Sequence, residues 1–352
     1  MRLNIFKKRY QYLGLHINMH ALKALQFDSI GGKTVLHAYS NTPTPRGLIN
    51  NDDILDRKKL SEFIRTTLAK PAHGNFSTNR AVVCIPESKS YVRVMEMEQM
   101  DEEKAELAIM YEAEAYIPMP MDQVYFDWDI LSKNGKTMSV LLTASQKEYV
   151  DTLASVIENA GLVVCGMEVE AQSVAHALVP PSVKEPVLIV DIDAFKTDLV
   201  IVENGALQFT SSVPVAGNMF TESLAKALGV TTQVAEKLKR EVGFANTVEY
   251  PNLKSSMISA VENFAAEIKN ILKFHYDHAD SHISQIIITG GGAKMQHMTE
   301  LLPPLLEAYA PVTVTVANPL EHVPNLMHNP LTPYEALSFT NAIGLAMWEM
   351  EV

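Results

Sequence analysis

Three stretches of the chain carry residue types that could do chemistry. The first is the apolar, β-branched run Val187–Val190, closed by the carboxylate of Asp191, with Thr197 just across the next turn. A carboxylate at that point meets a turn full of backbone N–H groups. The second is Gln285–Thr289, another apolar run, which leads straight into Gly290-Gly291-Gly292-Ala293. Glycines at a strand end let the backbone approach a ligand closely. The third is the set His275, His278 and His282, at i, i+3 and i+7, with Asp277 and Asp280 nearby. That spacing could gather imidazoles on one helix face as metal ligands. It also describes a polar, solvated helix end, and no cysteine or fixed motif accompanies it. His16 and His20 stand four apart, but in a turn rather than a helix. No Ser-His-Asp or Cys-His order, Walker loop or dinucleotide fingerprint occurs in a supporting context, so no catalytic residue is assigned.

These groups need elements to position them. Leu199–Val202 and Leu207–Thr210 are further short apolar runs, and Asn204-Gly205 between them is a strong hairpin signal. Residues 187–210 therefore read as strand, turn, strand, tight turn, strand. Tyr12–Ile17, Leu22–Phe27 and Thr34–Ala38 repeat that plan, with Gly31-Gly32 as the hairpin turn. Each triplet is followed by a helix and a strand: Asp56–Leu68 and Ala81–Ile85 in the first half, Met219–Leu228 and Gln285–Thr289 in the second. The pattern predicts a duplicated α/β fold, with residues 12–38 and 187–210 as superposable units in separate lobes.

Between the copies lies additional material. A strand at Tyr91–Met97, a helix at Asp101–Ile117 stopped by Pro118 and Pro120, and strands Val124–Leu131 and Thr137–Leu142 around an Asn134-Gly135 turn read as a small α+β subdomain at about residues 87–145. Met95, Met97, Met100, Met110, Met119 and Met121 crowd it. Core packing is the reading for Met95 and Met97, and a groove wall for Met119 and Met121 beside the prolines. Ser145–Ala160 comes next as a helix, with Ser145 and Glu148 as a capping box and Gly161 as its stop. Ser256–Asp280 reads as a long helix, Pro303–Pro311 and 318–333 as connectors, and Tyr334–Trp348 as a helix packing back on the first half. The expected domains are a first lobe at 1–185 including the insert, a second at 186–333, and the returning segment 334–352.

Composition bounds the function. At 352 residues, two cores are expected, and 47% hydrophobic with 20% charged residues describes a globular protein. A formal net charge of −12 argues against nucleic acid, which needs a basic face. The two cysteines, Cys84 and Cys165, sit in apolar runs and read as buried thiols in a reducing compartment. No apolar run approaches the ~20 residues of a membrane span, and the first residues lack a signal-peptide core. Lys7-Lys8-Arg9 reads as a solvated basic cluster, with weak contact to anionic lipid as the alternative.

A duplicated meander with a carboxylate-bearing turn, plus a strand running into Gly-Gly-Gly-Ala, resembles the actin/Hsp70-type nucleotide-binding fold. Within it, LGLHINMHALKALQF, IMYEAEAYIPMPMDQVYFDWDIL, TASQKEYVDTLASVIENAGL, VDIDAFKTDLVIV, VAGNMFTESLAKALGV, AEKLKR and ITGGGAK resemble, in order and spacing, the PilM family of actin-like proteins of bacterial type IV pilus assembly. The resemblance covers nearly the whole chain. The insert falls where this family, like FtsA, carries its extra subdomain.

The resemblance implies ATP and magnesium held between two lobes. Asp191 would organise the magnesium shell and Thr197 a phosphate. Glu236 and Lys239 would flank the adenosine, Gly290, Gly291 and Gly292 would pass under adenine and sugar, and Lys23 keeps its family position. The family's two phosphate loops read Asp-x-Gly, whereas this chain has His16-Ile17-Asn18 and Asp191-Ile192-Asp193. His16 removes a partner for magnesium-bound water, Asn18 and Asp193 place side chains where phosphate should approach backbone, and Asp193 adds a repelling charge. The expectation is a degenerate site with nucleotide binding weakened or lost. The expected function is a scaffold on the cytoplasmic face of the inner membrane. It would bind the short N-terminal cytoplasmic segment of a PilN-like membrane protein and link it to a pilus motor ATPase or platform proteins. The peptide groove would lie between insert and first lobe, near Tyr111, Ile117, Pro118 and Met119. The alternative is a working actin-like ATPase or sugar-kinase-like phosphotransferase, which would need a general base and an intact magnesium site.

Overall fold

The computed structural model describes residues 11–245, 253–279, 281–306 and 311–350, so Lys7-Lys8-Arg9 and Asp280 lie outside the described residues. The chain opens with a meander, β1 (Leu13–Ile17), β2 (Ala21–Ile30) and β3 (Lys33–Pro43). A two-strand excursion, β4 (Ile49–Asn50) and β5 (Asp53–Ile54), precedes α1 (Arg57–Leu68) and β6 (Arg80–Ile85). Asp56 caps α1 by accepting from Lys59 N, which fixes where the helix starts. The insert comes next as β7 (Ser90–Glu98), α2 (Glu102–Tyr116), β8 (Val124–Asn134) and β9 (Thr137–Gln146). The first lobe resumes with α3 (Lys147–Asn159), β10 (Val163–Val169) and α4 (Glu170–Leu178).

The second lobe repeats the design with β11 (Val187–Ile192), β12 (Thr197–Glu203), β13 (Ala206–Val213), α5 (Gly217–Leu228), α6 (Thr232–Glu241), α7 (Leu253–His278), β14 (Gln285–Thr289), α8 (Met298–Leu306) and β15 (Thr313–Val316). Then β16 (Leu326–His328), α9 (Pro333–Ala336) and α10 (Thr340–Ala346) close the described fold. The first sheet runs β10-β6-β1-β2-β3-β16 and the second β13-β12-β11-β14-β15. In both, the first strand of the meander pairs antiparallel with the next strand and parallel with a later one. The two meanders thus lie in separate sheets with the same local order, as the sequence repeat predicts.

Burial explains the layers. β1 is buried along its whole length, and α1 and α3 cover one face of it through Leu60, Ile64, Leu153 and Ile157. On the opposite face sit α4 and α10, and every residue of α10 is buried. Backbone meets backbone there: a Cβ on Gly14 would stand 2.1 Å from Ala342 O, and one on Gly344 1.8 Å from Ser173 O. The insert has its own core of Met95, Ile109, Ile117, Met138 and Leu142, with α2 packed on the β7-β9-β8 sheet.

Several local expectations are corrected. Ser145 and Glu148 form no capping box: Ser145 is the penultimate residue of β9, buried and paired with Ser90 and Tyr125, and Gln146 flanks α3 without a side-chain cap. Pro303 and Pro304 sit inside α8 rather than in a connector, because Met298, Leu302 and Leu306 are buried on one side of that helix. The 318–333 stretch is not only a connector, since β16 pairs parallel with β3 and returns to the first lobe before residue 334. Thr332 and Glu335 then build a reciprocal cap, and the expected helix 334–348 is broken at Leu337–Phe339 into α9 and α10. Strands β10 and β15 and helix α4, absent from the sequence expectation, complete the sheets and their cover.

Replacing Gly14 by Ala should push α10 off the sheet. We expect a loss of about 3 kcal/mol of stability in chemical denaturation, at the upper end of overpacking costs. Gly31→Ala, at an open turn where a Cβ meets nothing but φ is +60°, should cost about 1 kcal/mol.

Candidate interlobe site

The cleft between the lobes holds a cavity of about 1140 Å³. It is walled by the β1–β2 turn at His20, the β11–β12 turn at Asp193–Phe195, the start of α5, the length of α6, the glycines after β14, and Tyr334. Of the sequence-predicted residues, Asp193, Glu236, Lys239, Gly291 and Gly292 face this cavity. Gly290 takes φ +78° and is packed against Asp191, where a Cβ would come within 2.3 Å of Oδ1. Gly291 has open space at the corresponding point. Its backbone is therefore the close approach that the glycine run provides.

One end of the cleft is an ordered polar hub on α5 and α6. Lys239, though buried, has three acceptors: Gly217 O at 2.9 Å, Thr221 Oγ1 at 2.8 Å and Glu236 Oε2 at 2.7 Å. Thr221 Oγ1 donates to Glu236 Oε2, and Arg240 Nε donates to its other oxygen, both at 2.6 Å. Burial pushes the Glu236 carboxyl up, but Lys239, Thr221 and Arg240 outweigh it and hold it below the usual range. Burial lowers Lys239, against the pull of Glu236. Both shift downward, Lys239 because it is the more deeply buried of the two and burial there outweighs the pull of Glu236. Three acceptors around one nitrogen are the geometry of an ammonium, which matches its three N–H donors. Lys294, not singled out in the sequence, donates to Ser338 Oγ at 2.7 Å and lies 4.9 Å over the Tyr334 ring.

The other end is closed by the protein itself. Asn18 Oδ1 accepts from His20 N at 2.9 Å and Ala21 N at 3.1 Å, so the side chain occupies the amides of its own loop. His20 stacks on Phe195 across the cleft, with ring centroids 4.7 Å apart and planes 6° from parallel. Thr197 is fully buried and donates to Val215 O at 2.6 Å, so it does not face the cavity as a phosphate ligand would. Asp191 is also buried. Burial pushes its carboxyl well up, the charges of Asp193 and Asp198 add to this, and Asn341 Nδ2 donates to it at 3.4 Å.

Beneath this end runs a buried charge network that sequence reasoning missed. His16 Nε2 lies 3.2 Å from Glu170 Oε1. The other oxygen of Glu170 accepts from Lys196 Nζ at 2.5 Å and from Glu87 N at 3.1 Å. Lys196 also contacts Asp198 at 3.1 Å, and Thr210 Oγ1 donates to Glu87 Oε1 at 2.9 Å. Glu170 and His16 belong to the first lobe and Lys196, Asp198 and Thr210 to the second, so the network joins the lobes. Burial raises Glu170, yet Lys196 and His16 outweigh it and hold the carboxyl far below its ordinary range. Burial lifts Asp198 to about 7 against the pull of Lys196, and burial with the charge of Asp198 lifts Glu87 to about 7. The one available clue in the sequence was a carboxylate at the head of the alanine-rich stretch Glu170–Leu178.

The remaining candidates scatter. His275 is buried, His278 Nδ1 lies 2.8 Å from Phe274 O, and His282 stacks on Tyr276, so the three histidines do not converge on a metal site. In the insert, Tyr111 is 79% exposed, beside exposed Leu107 and Met110. Ile117, expected to line a groove, is instead buried in the insert's own core, because it continues from the last turn of α2 onto the sheet. Met119 packs against that same core, and Pro118 is exposed. A cavity of about 440 Å³ does adjoin the insert, but its other wall is β13 and α7 of the second lobe.

Residues 14–350 match the family model described as type IV pilus assembly protein PilM. In fold the chain is similar to the solved PilM-PilN type IV pilus biogenesis complex, with a TM-score of 0.79 at 24% identity, covering 98% of this chain and 100% of that one. MreB5 of Spiroplasma citri bound to AMPPNP is a more distant likeness, with a TM-score of 0.55 at 14% identity over 97% of this chain and 96% of that one. In sequence the chain is 25% identical to the cell division protein FtsA of Pseudomonas aeruginosa over 213 residues, 53% of this chain and 49% of FtsA. The match thus spans about half the length of that relative. These likenesses establish a two-lobe actin-like fold.

Removing Lys196 should expose how much the network matters. With Lys196→Met, Glu170 keeps only His16 and the Glu87 amide in a buried position, and stability should fall by about 3–5 kcal/mol in urea titration. Pairing Lys196→Met with Glu170→Gln should recover a substantial part of that loss, because the Glu170 charge is then gone and Asp198, already lifted to about 7, can take up a proton.

Proposed function

This chain belongs to the PilM family of type IV pilus assembly proteins, and we propose that it serves there as a binding scaffold with little or no use of nucleotide. The observation that carries the second half is the occupied first loop. Asn18 Oδ1 already satisfies the amides of His20 and Ala21, and the His20–Phe195 stack lies over them. A triphosphate entering that end would have to displace both, against the added charge of Asp193. The residues at the phosphate end therefore do not fit magnesium and a polyphosphate. The adenosine end, with Glu236, Lys239 and the Gly290–Gly292 turn, keeps the polar groups and open backbone that a nucleoside would need. A working actin-like ATPase is the second reading, and the roomy cavity is what favours it.

The partner we propose is the short N-terminal segment of a PilN-like membrane protein. The solved PilM-PilN complex, which matches this chain over nearly its whole length, supports that reading. No helix among the described residues is long and apolar enough to cross a membrane, so attachment to the inner membrane would come through such a partner. The proposed docking region is the insert, where Leu107, Met110 and Tyr111 are exposed apolar anchors on α2. A pilus motor ATPase or platform protein would be the further partner, with the protein lying at the cytoplasmic face.

Calorimetry should find Mg-ATP binding in the millimolar range or absent. Two or three defects costing about 1–3 kcal/mol each would carry a micromolar affinity that far. The triple change His16→Asp, Asn18→Gly, Asp193→Gly should tighten it. Tight magnesium-dependent binding by the unchanged protein would return the ATPase reading to first place. A peptide from the cytoplasmic tail of a PilN-like partner should be retained by the intact protein and lost when residues 90–146 are removed. Retention after that deletion would place the partner site elsewhere.

A further inference from the structure

The face of the first sheet that lies under α4 brings together three side chains of different ligand types. β1 and β6 are parallel and in register, Gly14 against Val82 and Leu15 against Val83. One step further sets His16 beside Cys84 on one face. β10 is the next strand, and α4 begins directly after it with Glu170. A ring nitrogen of His16, the sulfur of Cys84 and a carboxylate oxygen of Glu170 all lie within 4.8 Å of one another, and all three residues are buried. Among the described residues it is the only such trio.

We propose that His16, Cys84 and Glu170 bind one divalent transition-metal ion of the Zn²⁺ type. His16 is 2% exposed, and the ring nitrogen that would bind is Nε2, which already meets Glu170 Oε1 at 3.2 Å. The ligand set selects the ion. Imidazole, thiolate and carboxylate together suit Zn²⁺ or Co²⁺, whereas Mg²⁺ takes oxygen ligands in an octahedron. Ligands at ~2.0–2.3 Å from a tetrahedral ion stand roughly 3.5 Å apart, so the trio needs to contract by only about 1 Å.

The charges also balance. Binding releases the thiol proton of Cys84, and the thiolate and carboxylate neutralise the ion. Lys196, 2.5 Å from Glu170 Oε2, would stay on that oxygen as an outer partner while the other faces the metal. Ser173 Oγ lies 3.7 Å from Cys84 Sγ, and turning its hydroxyl away from Asn341 Oδ1 would let it donate to the thiolate. A fourth position is left for water. The ion would tie β1, β6 and α4 together directly below the first loop, whether or not the cleft takes nucleotide.

The test uses the full-length, reduced protein, stripped with a chelator and titrated anaerobically with Co²⁺ in the absence of nucleotide. One equivalent should produce a thiolate-to-cobalt charge-transfer band, and one equivalent of Zn²⁺ should bleach it. Cys84→Ser should remove the band and weaken Zn²⁺ binding at least ~100-fold, beyond what outer partners usually carry. Cys165→Ser should change neither. His16→Gln, checked for folding by circular dichroism, should weaken binding similarly. No band in the unchanged protein, or a band that tracks Cys165, overturns the proposal.

Discussion

A carboxylate with only 5% of its side chain exposed cannot stay ionised inside a protein unless a cation and hydrogen-bond partners reach it, and Glu170 draws these from both halves of the molecule. Its position at the first turn of α4 also places it at the positive end of the helix. His16 arrives on β1, Lys196 on the β11–β12 turn, and the amide of Glu87 where the insert departs. Four separate pieces of chain must be in register before that charge is satisfied. The angle between the lobes is thereby tied to a protein contact. In a nucleotide-clamped cleft the same role would fall to a ligand's phosphates and their metal.

The two ends of the cleft owe their character to different chemistry. At the α5–α6 end, Glu236 and Lys239 are locked by neighbours on the same or adjacent helices, so the hub persists with the cavity open. At the other end, side chains of Asn18, His20 and Phe195 take the space and the donors that small residues would leave free. Glycine at position 18 would expose two amides, whereas asparagine consumes them. A single side chain thus changes a loop from an anion receptor into a self-capped turn.

How far the sequence could be read depended on how local each feature is. Alternating apolar runs and the Asn204-Gly205 turn marked the meanders, because strand period and turn geometry are set by neighbouring residues. Gly161 marked a helix end for the same reason, and it takes positive φ. The altered loops were visible as residue types, and the cleft-facing Glu236, Lys239, Gly291 and Gly292 through family likeness. Glu170 was not, since its partners lie 26 and 154 positions away and nothing local announces them. Ser145 misled because a capping pattern also fits the end of a strand. Pro303 and Pro304 misled because burial of α8 overrode propensity. β16 is three residues long, and its existence depends wholly on the edge of β3 being there to receive it.

That short strand and α10 have a consequence for synthesis. The second lobe's sheet is drawn from one unbroken stretch, residues 187–316, while the first lobe's sheet and its cover also need residues 326–346. On a translating ribosome the later-made lobe can close first. The earlier one must wait with β1 uncovered on the Gly14 face until α10 emerges. The usual order, in which the N-terminal unit folds ahead of its C-terminal neighbour, is reversed. During that interval a sheet face carrying Gly14 and His16 of β1 beside Val82 and Cys84 of β6 is available to chaperones, and it closes only when α10 arrives.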